Sequence, residues 1–155
     1  MITSIMKNTV DYKELINQIV KNKLTFRILF INNNINSKII SSTETIAFKR
    51  DACEQGDGIF IVEKISNRNY IVGLYFLKWK LDRDEIPPSI FENHNNFVSF
   101  WEVEGEQFSK PIDLKETIED LESYYGTFLN NINRKLQPET VLKILKLNNN
   151  NKYIV

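Results

Sequence analysis

Residues Tyr70 to Leu81 leave little choice of where they can sit. One alternate set, Ile71, Gly73, Tyr75, Leu77, Trp79 and Leu81, is apolar throughout. The other, Val72, Leu74 and Phe76, is apolar until Lys78 and Lys80 take over. Side chains alternate across a strand, so the pattern describes a strand covered on both faces at its start and wetted on one face at its end. Such a strand needs neighbours on both edges, which predicts a central strand in a layered domain. At 155 residues with 42% apolar side chains, the chain can supply those layers as one domain, 1–155. The longest apolar run, Tyr70 to Leu77, is eight residues, far short of the ~20 that a membrane helix needs. The first residues, Met1 to Lys7, contain no signal-like apolar region, so the expected location is the cytoplasm.

The flanking segments suggest an α+β domain with an antiparallel sheet of about five strands. Tyr12, Leu15, Ile16, Ile19 and Val20 form one apolar stripe, predicting a helix over 11–22. Alternation predicts strands over 24–31, 39–48, 59–65 and 70–81, with Gly56-Asp57-Gly58 as a turn and Ser66–Asn69 as a hairpin interval. A fifth strand is expected from Phe97 to about Glu104. Asp113 and Glu116 have capping-box spacing. After them, Leu114, Ile118, Leu121, Tyr125, Phe128 and Ile132 recur at three and four residues, predicting a long amphipathic helix. Pro138 opens a final helix through Leu147. Hairpin-length links between the strands favour antiparallel pairing, with an N-terminal helix and the C-terminal helices packed on the sheet. The runs Asn32–Asn34 and Asn148–Asn151 read as turn punctuation from an AT-rich coding sequence.

The material for catalysis is thin. Cys53 and His94 are the lone cysteine and histidine. One lies before a turn and the other in a polar loop, whereas a Cys–His enzyme needs the two within hydrogen-bond reach and a third group to orient the base. A disulfide framework and a structural zinc site are excluded by the same count. Glu63 and Lys64 are adjacent and point to opposite faces, whereas a PD-(D/E)xK nuclease needs them on one face. Asp82, Asp84 and Glu85 lack the ligand spacing and central glycine of a calcium loop. Gly56-x-Gly58 precedes a strand, where a nucleotide-binding fingerprint would follow one. No catalytic residue, metal or cofactor is therefore expected.

Charge is the more informative feature. The 20 basic and 20 acidic groups cancel overall, yet residues 101–125 carry two basic and eight acidic side chains. Glu102, Glu104 and Glu106 share one strand face, and Glu116, Glu119 and Asp120 crowd one helix face. Close like charges oppose folding, so the patch points to a cationic partner, with Trp101 and Tyr124 as aromatic anchors. The bland reading is a solvated face partly neutralised by Lys110 and Lys115.

Two resemblances sharpen these readings. Val98-Ser99-Phe100-Trp101-Glu102, with Leu121-Glu122-Ser123-Tyr124-Tyr125 and Phe128-Leu129, is similar to the Ser-Trp strand and closing aromatic helix of some bacterial immunity proteins of contact-dependent growth-inhibition systems. That resemblance implies a non-enzymatic inhibitor capping a basic, nuclease-type toxin domain through an acidic surface. Gln55-Gly56-Asp57-Gly58-Ile59-Phe60-Ile61-Val62, followed by Tyr70-Ile71-Val72-Gly73-Leu74, resembles a passage of PUA-like domains such as the EVE and ASCH families. The alternative it implies is an RNA- or modified-base-binding module, for which Lys78, Trp79 and Lys80 offer a fragment of a basic aromatic face. In a regular strand, Trp79 would face away from both lysines.

Overall fold

The computed structural model describes residues 17, 19–21, 23–31, 37–88, 97–117 and 135–152. Five strands form one sheet: β1 (Phe26–Phe30), β2 (Thr45–Phe48), β3 (Gly58–Ile65), β4 (Arg68–Lys80) and β5 (Ser99–Asp113). Their spatial order is β1-β3-β4-β5-β2, which puts β4 in the centre, as its two-sided apolar start requires. Helices among the described residues include α1 (Ser37–Thr43) and α2 (Pro138–Lys152), and 3-10 turns lie at Arg83–Glu85 and Leu114–Glu116. The domain is α+β.

The sheet is mixed, not antiparallel. β1 runs parallel to β3, from Phe26 opposite Gly58 to Phe30 opposite Val62, while the other three pairings are antiparallel. The departure arises at residues 39–44, where Ile and Thr suggest a strand and the chain instead forms α1. The intrinsic penalty for such residues in a helix is only about 0.5 kcal/mol each, and Ile40 in the helix is fully buried. Thr43 and Ser42 hydroxyls both donate to the Ile39 carbonyl, at 2.6 and 3.2 Å. Glu44, left-handed at φ 52°, ends the helix and turns the chain into β2. Because β2 crosses to the far edge of the sheet, β3 starts again in the direction of β1.

The alternation along β4 is broken twice. Against β5 the register shifts between Ile71 and Gly73, and again between Leu77 and Trp79. Each such irregularity exchanges the faces of the residues that follow. Ile71, Leu74 and Phe76 therefore join one core, with Phe26, Ile28, Phe60 and α2's Val141, Ile144 and Leu145. Val72, Tyr75 and Leu77 join the opposite core, with Ile40, Ile46, Phe48, Ile59 and Ile61. The single apolar face read from sequence is thus divided between two cores.

The connections follow local chemistry. Asn17 and Ile19–Lys21 are helical, within the predicted first helix. The Leu24 N–H donates to the Ile19 carbonyl and the Lys23 N–H to that of Val20, a Schellman closure with Lys23 at φ 53°. β3 and β4 are joined by Ser66 and Asn67 alone, both left-handed, so the turn is two residues long where four were expected. β5 continues past Glu104 to Asp113, because Phe108 and Ile112 are buried beyond the acidic stretch. Of the long helix predicted after Asp113, the described part is the 3-10 turn, capped by the Asp113 carboxylate accepting from the Lys115 N–H at 3.0 Å. Its remainder lies outside the described residues. α2 extends through Asn148–Asn151, which are helical and not turn residues. The first Asn run is outside the described residues.

Candidate binding surface at the bulge of β4 and β5

In antiparallel pairs, residues directly opposite one another share a face. Glu102 lies opposite Trp79, Glu104 opposite Phe76 and Glu106 opposite Leu74. Phe76 and Leu74 belong to the core beneath α2, so the three glutamates form one row on that side of the sheet. Glu104 is exposed, whereas Glu102 and Glu106 are half-buried. The shared strand face expected for these acids is what the register produces.

The second bulge creates an arrangement that simple alternation hides. By skipping Lys78 in the pairing, it brings Trp79 to the side of Phe76 and Leu74, at the open end of the acidic row. Trp79 is 46% exposed, a large indole in water. The Lys78 ammonium lies over this indole, 4.6 Å from the ring centroid, and 3.4 Å from Glu102 Oε2. Trp79 was expected to face away from both lysines; for Lys78 the bulge reverses that. Indole, ammonium and carboxylate therefore meet at one point. Lys80, on the other side, pairs with Asp51 at 2.6 Å.

Trp101 requires a correction. It lies opposite Ile46 and Lys80, on the sheet face away from the glutamate row, and is only 6% exposed. It packs in the α1-side core, and its indole N–H has no hydrogen-bond partner among the described residues. A residue so enclosed does not offer a surface anchor. The exposed indole beside the glutamate row is that of Trp79. The signal for it was the Lys-Trp-Lys end of a central strand, where the pattern turns from buried to wet.

The helix half of the predicted patch is described only at its start. Glu116 is exposed at the end of its 3-10 turn. Glu119, Asp120 and Tyr124 lie outside the described residues, as does His94.

Sequence reading missed a buried polar cluster on the α1 side. Arg27 Nε donates to Asp57 Oδ2, which also accepts the Glu54 N–H at 3.0 Å. Cys53 lies in the field of this pair; burial pushes its thiol up to about 12, opposed by Arg27 and assisted by Asp57 and Asp51. A thiol held neutral in this way is a poor nucleophile. The clue was Arg27 itself, a charge in the strand set that also contains Leu29 and Ile31. In the same core the Tyr75 hydroxyl is buried without a well-formed hydrogen bond among the described residues. Its burial raises the pKa, the neighbouring Ser41 hydroxyl offsets part of this and the Glu106 carboxylate adds to it.

Asp82, Asp84 and Glu85 bring carboxylate oxygens within 4.8 Å of one another, all on exposed side chains. One Glu85 oxygen is engaged by the Asp82 N–H at 2.9 Å, as expected of a surface turn.

No family model and no curated protein matches this chain. Among solved structures, it is similar to that of a hypothetical protein from Leishmania major, with a TM-score of 0.59 at 11% identity. The similarity covers 83% of this chain and 97% of that one. At such identity the likeness concerns the fold alone.

Proposed function

We propose that the protein is a non-enzymatic inhibitor of the immunity type, which binds a basic nuclease-like toxin domain and covers its substrate face. The observation that carries this reading is the single row formed by Glu102, Glu104 and Glu106 with the exposed Trp79 at its end. A row of carboxylates steers a basic protein into encounter, and an exposed indole supplies the apolar contact that slows its departure. The proposal extends to Glu116, which lies beyond the Asp113 end of β5, and to Glu119, Asp120 and Tyr124 of the following segment. The buried, neutral Cys53 supplies no nucleophile to compete with this reading. Among the described residues, no helix is long and apolar enough to cross a membrane. Such an inhibitor acts in the cytoplasm, where its cell's own nucleic acid needs protection.

The alternative, a PUA-like nucleic-acid module, draws less support. It would rely on Lys78 and Lys80, and each is already paired with a carboxylate, Glu102 and Asp51 respectively. Phosphate would also have to approach beside Glu104.

The test is capture from lysate of the native host after nuclease treatment, with the wild-type chain and Glu104→Lys as baits, read by mass spectrometry. A basic protein retained by the wild type and lost or slowed with Glu104→Lys at low salt is the expected result. Capture that vanishes on nuclease treatment, with RNA or DNA in the untreated eluate, would overturn it in favour of the alternative.

A further inference from the structure

We infer that Trp79 and Glu102 form a receptor for an arginine side chain of the partner, and that Lys78 occupies it in the free protein. The inference rests on the protein-binding reading above and assigns that surface its recognition chemistry. A half-exposed indole face with a carboxylate beside it is the environment that attracts a cation. Here a cation is already present: the Lys78 ammonium lies 4.6 Å from the Trp79 centroid and 3.4 Å from Glu102 Oε2.

Lysine is the weaker ligand for such a site. Its ammonium is a compact, strongly hydrated charge that makes point contacts. A guanidinium is planar and less hydrated; it stacks on indole and can grip a carboxylate with two N–H groups. The Lys78 side chain is 34% exposed and that of Glu102 30% exposed, so the internal contact is open to water and can be displaced. Exposed ion pairs of this kind hold their partners weakly. Glu104, next along the row, adds negative charge on the same face and favours a basic protein surface around the incoming arginine. Lys78 then acts as a placeholder. It neutralises Glu102 while no partner is bound, and it yields to a group with better geometry.

Replacing the placeholder separates this inference from a merely structural contact. The full chain would be titrated with the peptide acetyl-Arg-Gly-Arg-Gly-Arg-amide and with its lysine counterpart. Isothermal titration calorimetry measures the affinity in every variant, and the indole N–H resonance of Trp79, assigned through Trp79→Phe, places the peptide at this indole wherever Trp79 is retained. Lys78→Met should bind the arginine peptide about fivefold more tightly than the wild type, and the arginine peptide should exceed the lysine peptide. Glu102→Gln placed on Lys78→Met should remove that gain, as should Trp79→Leu, with the thermal transition of each variant confirming that it is folded. If Lys78→Met binds no more tightly, or if the gain survives both second substitutions, the inference is overturned. Should that happen while Glu104→Lys still abolishes capture of a basic protein, the proposed function stands and only the arginine site falls. Loss of both would remove the reading on which the inference rests.

Discussion

Arg27 Nε donates to Asp57 Oδ2 at 3.0 Å across 30 residues of chain, with both side chains more than nine-tenths buried. The contact ties edge strand β1 to the turn that launches β3. The Gly58 N–H donates to the Thr25 carbonyl nearby, so side chains and backbone fasten the same junction. Parallel pairing of β1 and β3 thus has a charged clamp at its start.

Removing one member of this clamp takes the buried counter-charge from the other, which typically costs about 3–5 kcal/mol. Asp57→Ala and Arg27→Met should each lower the unfolding free energy by that order. The double variant should lose much less than the two single losses combined, because neither buried charge then faces a missing counter-charge. Urea denaturation arranged as a double-mutant cycle measures the coupling, and additive losses would contradict the clamp.

Cys53 makes stability depend on alkaline pH. Its thiol is raised from 9.0 to about 12 by burial, opposed by Arg27 and reinforced by Asp57 and Asp51. The unfolded chain therefore releases a proton near pH 9 that the folded chain retains. The contribution is fully present below pH 9 and is lost as pH climbs towards 12, by at most about 1.4 kcal/mol per unit. Tyr75, also raised by burial, acts in the same direction. The urea midpoint of the wild type should fall above pH 9, and Cys53→Ala should flatten that decline. Iodoacetamide at neutral pH should label Cys53 only as the chain unfolds.

Gly105 is required by close approach of β5 to β4. A Cβ there would collide with the Leu74 carbonyl oxygen and come within 2.6 Å of the Tyr75 Cα. Both are backbone atoms and cannot swing aside. Gly105→Ala should destabilise by roughly 1–3 kcal/mol, the usual range for overpacking, and weaken amide-exchange protection along β4 and β5. Gly56 provides the control: its Cβ would meet open space, so a loss in Gly56→Ala arises from its φ of 90° alone. Equal protection in the wild type and Gly105→Ala would show that the strands can separate without penalty.

The central position of β4, the last helix and the acidic strand face were all legible because each depends on spacing within one segment. Val141, Ile144 and Leu145 at three and four residues describe the buried stripe of α2 whatever it packs against. Residues 39–44 were misread because Ile and Thr accept either conformation with a small penalty, and burial of Ile40 on the sheet decided between them. The exposure of Trp79 and the burial of Trp101 escaped the sequence for a different reason. Alternation alone puts Trp79 in the set of Leu77, and only the bulge at Lys78 moves it beside Phe76 and Glu102.

Local pattern therefore established an α+β domain, its central strand and its clustered negative charge. Side-chain alternation, helical periodicity and turn preference act over a few residues, so one chain segment contains all the information they use. The parallel edge strand, the bulges, the Arg27–Asp57 clamp and the Trp79–Lys78–Glu102 cluster were decided by tertiary structure. Each depends on which distant residues come to lie opposite one another, and that choice is made by the simultaneous packing of both faces of the sheet.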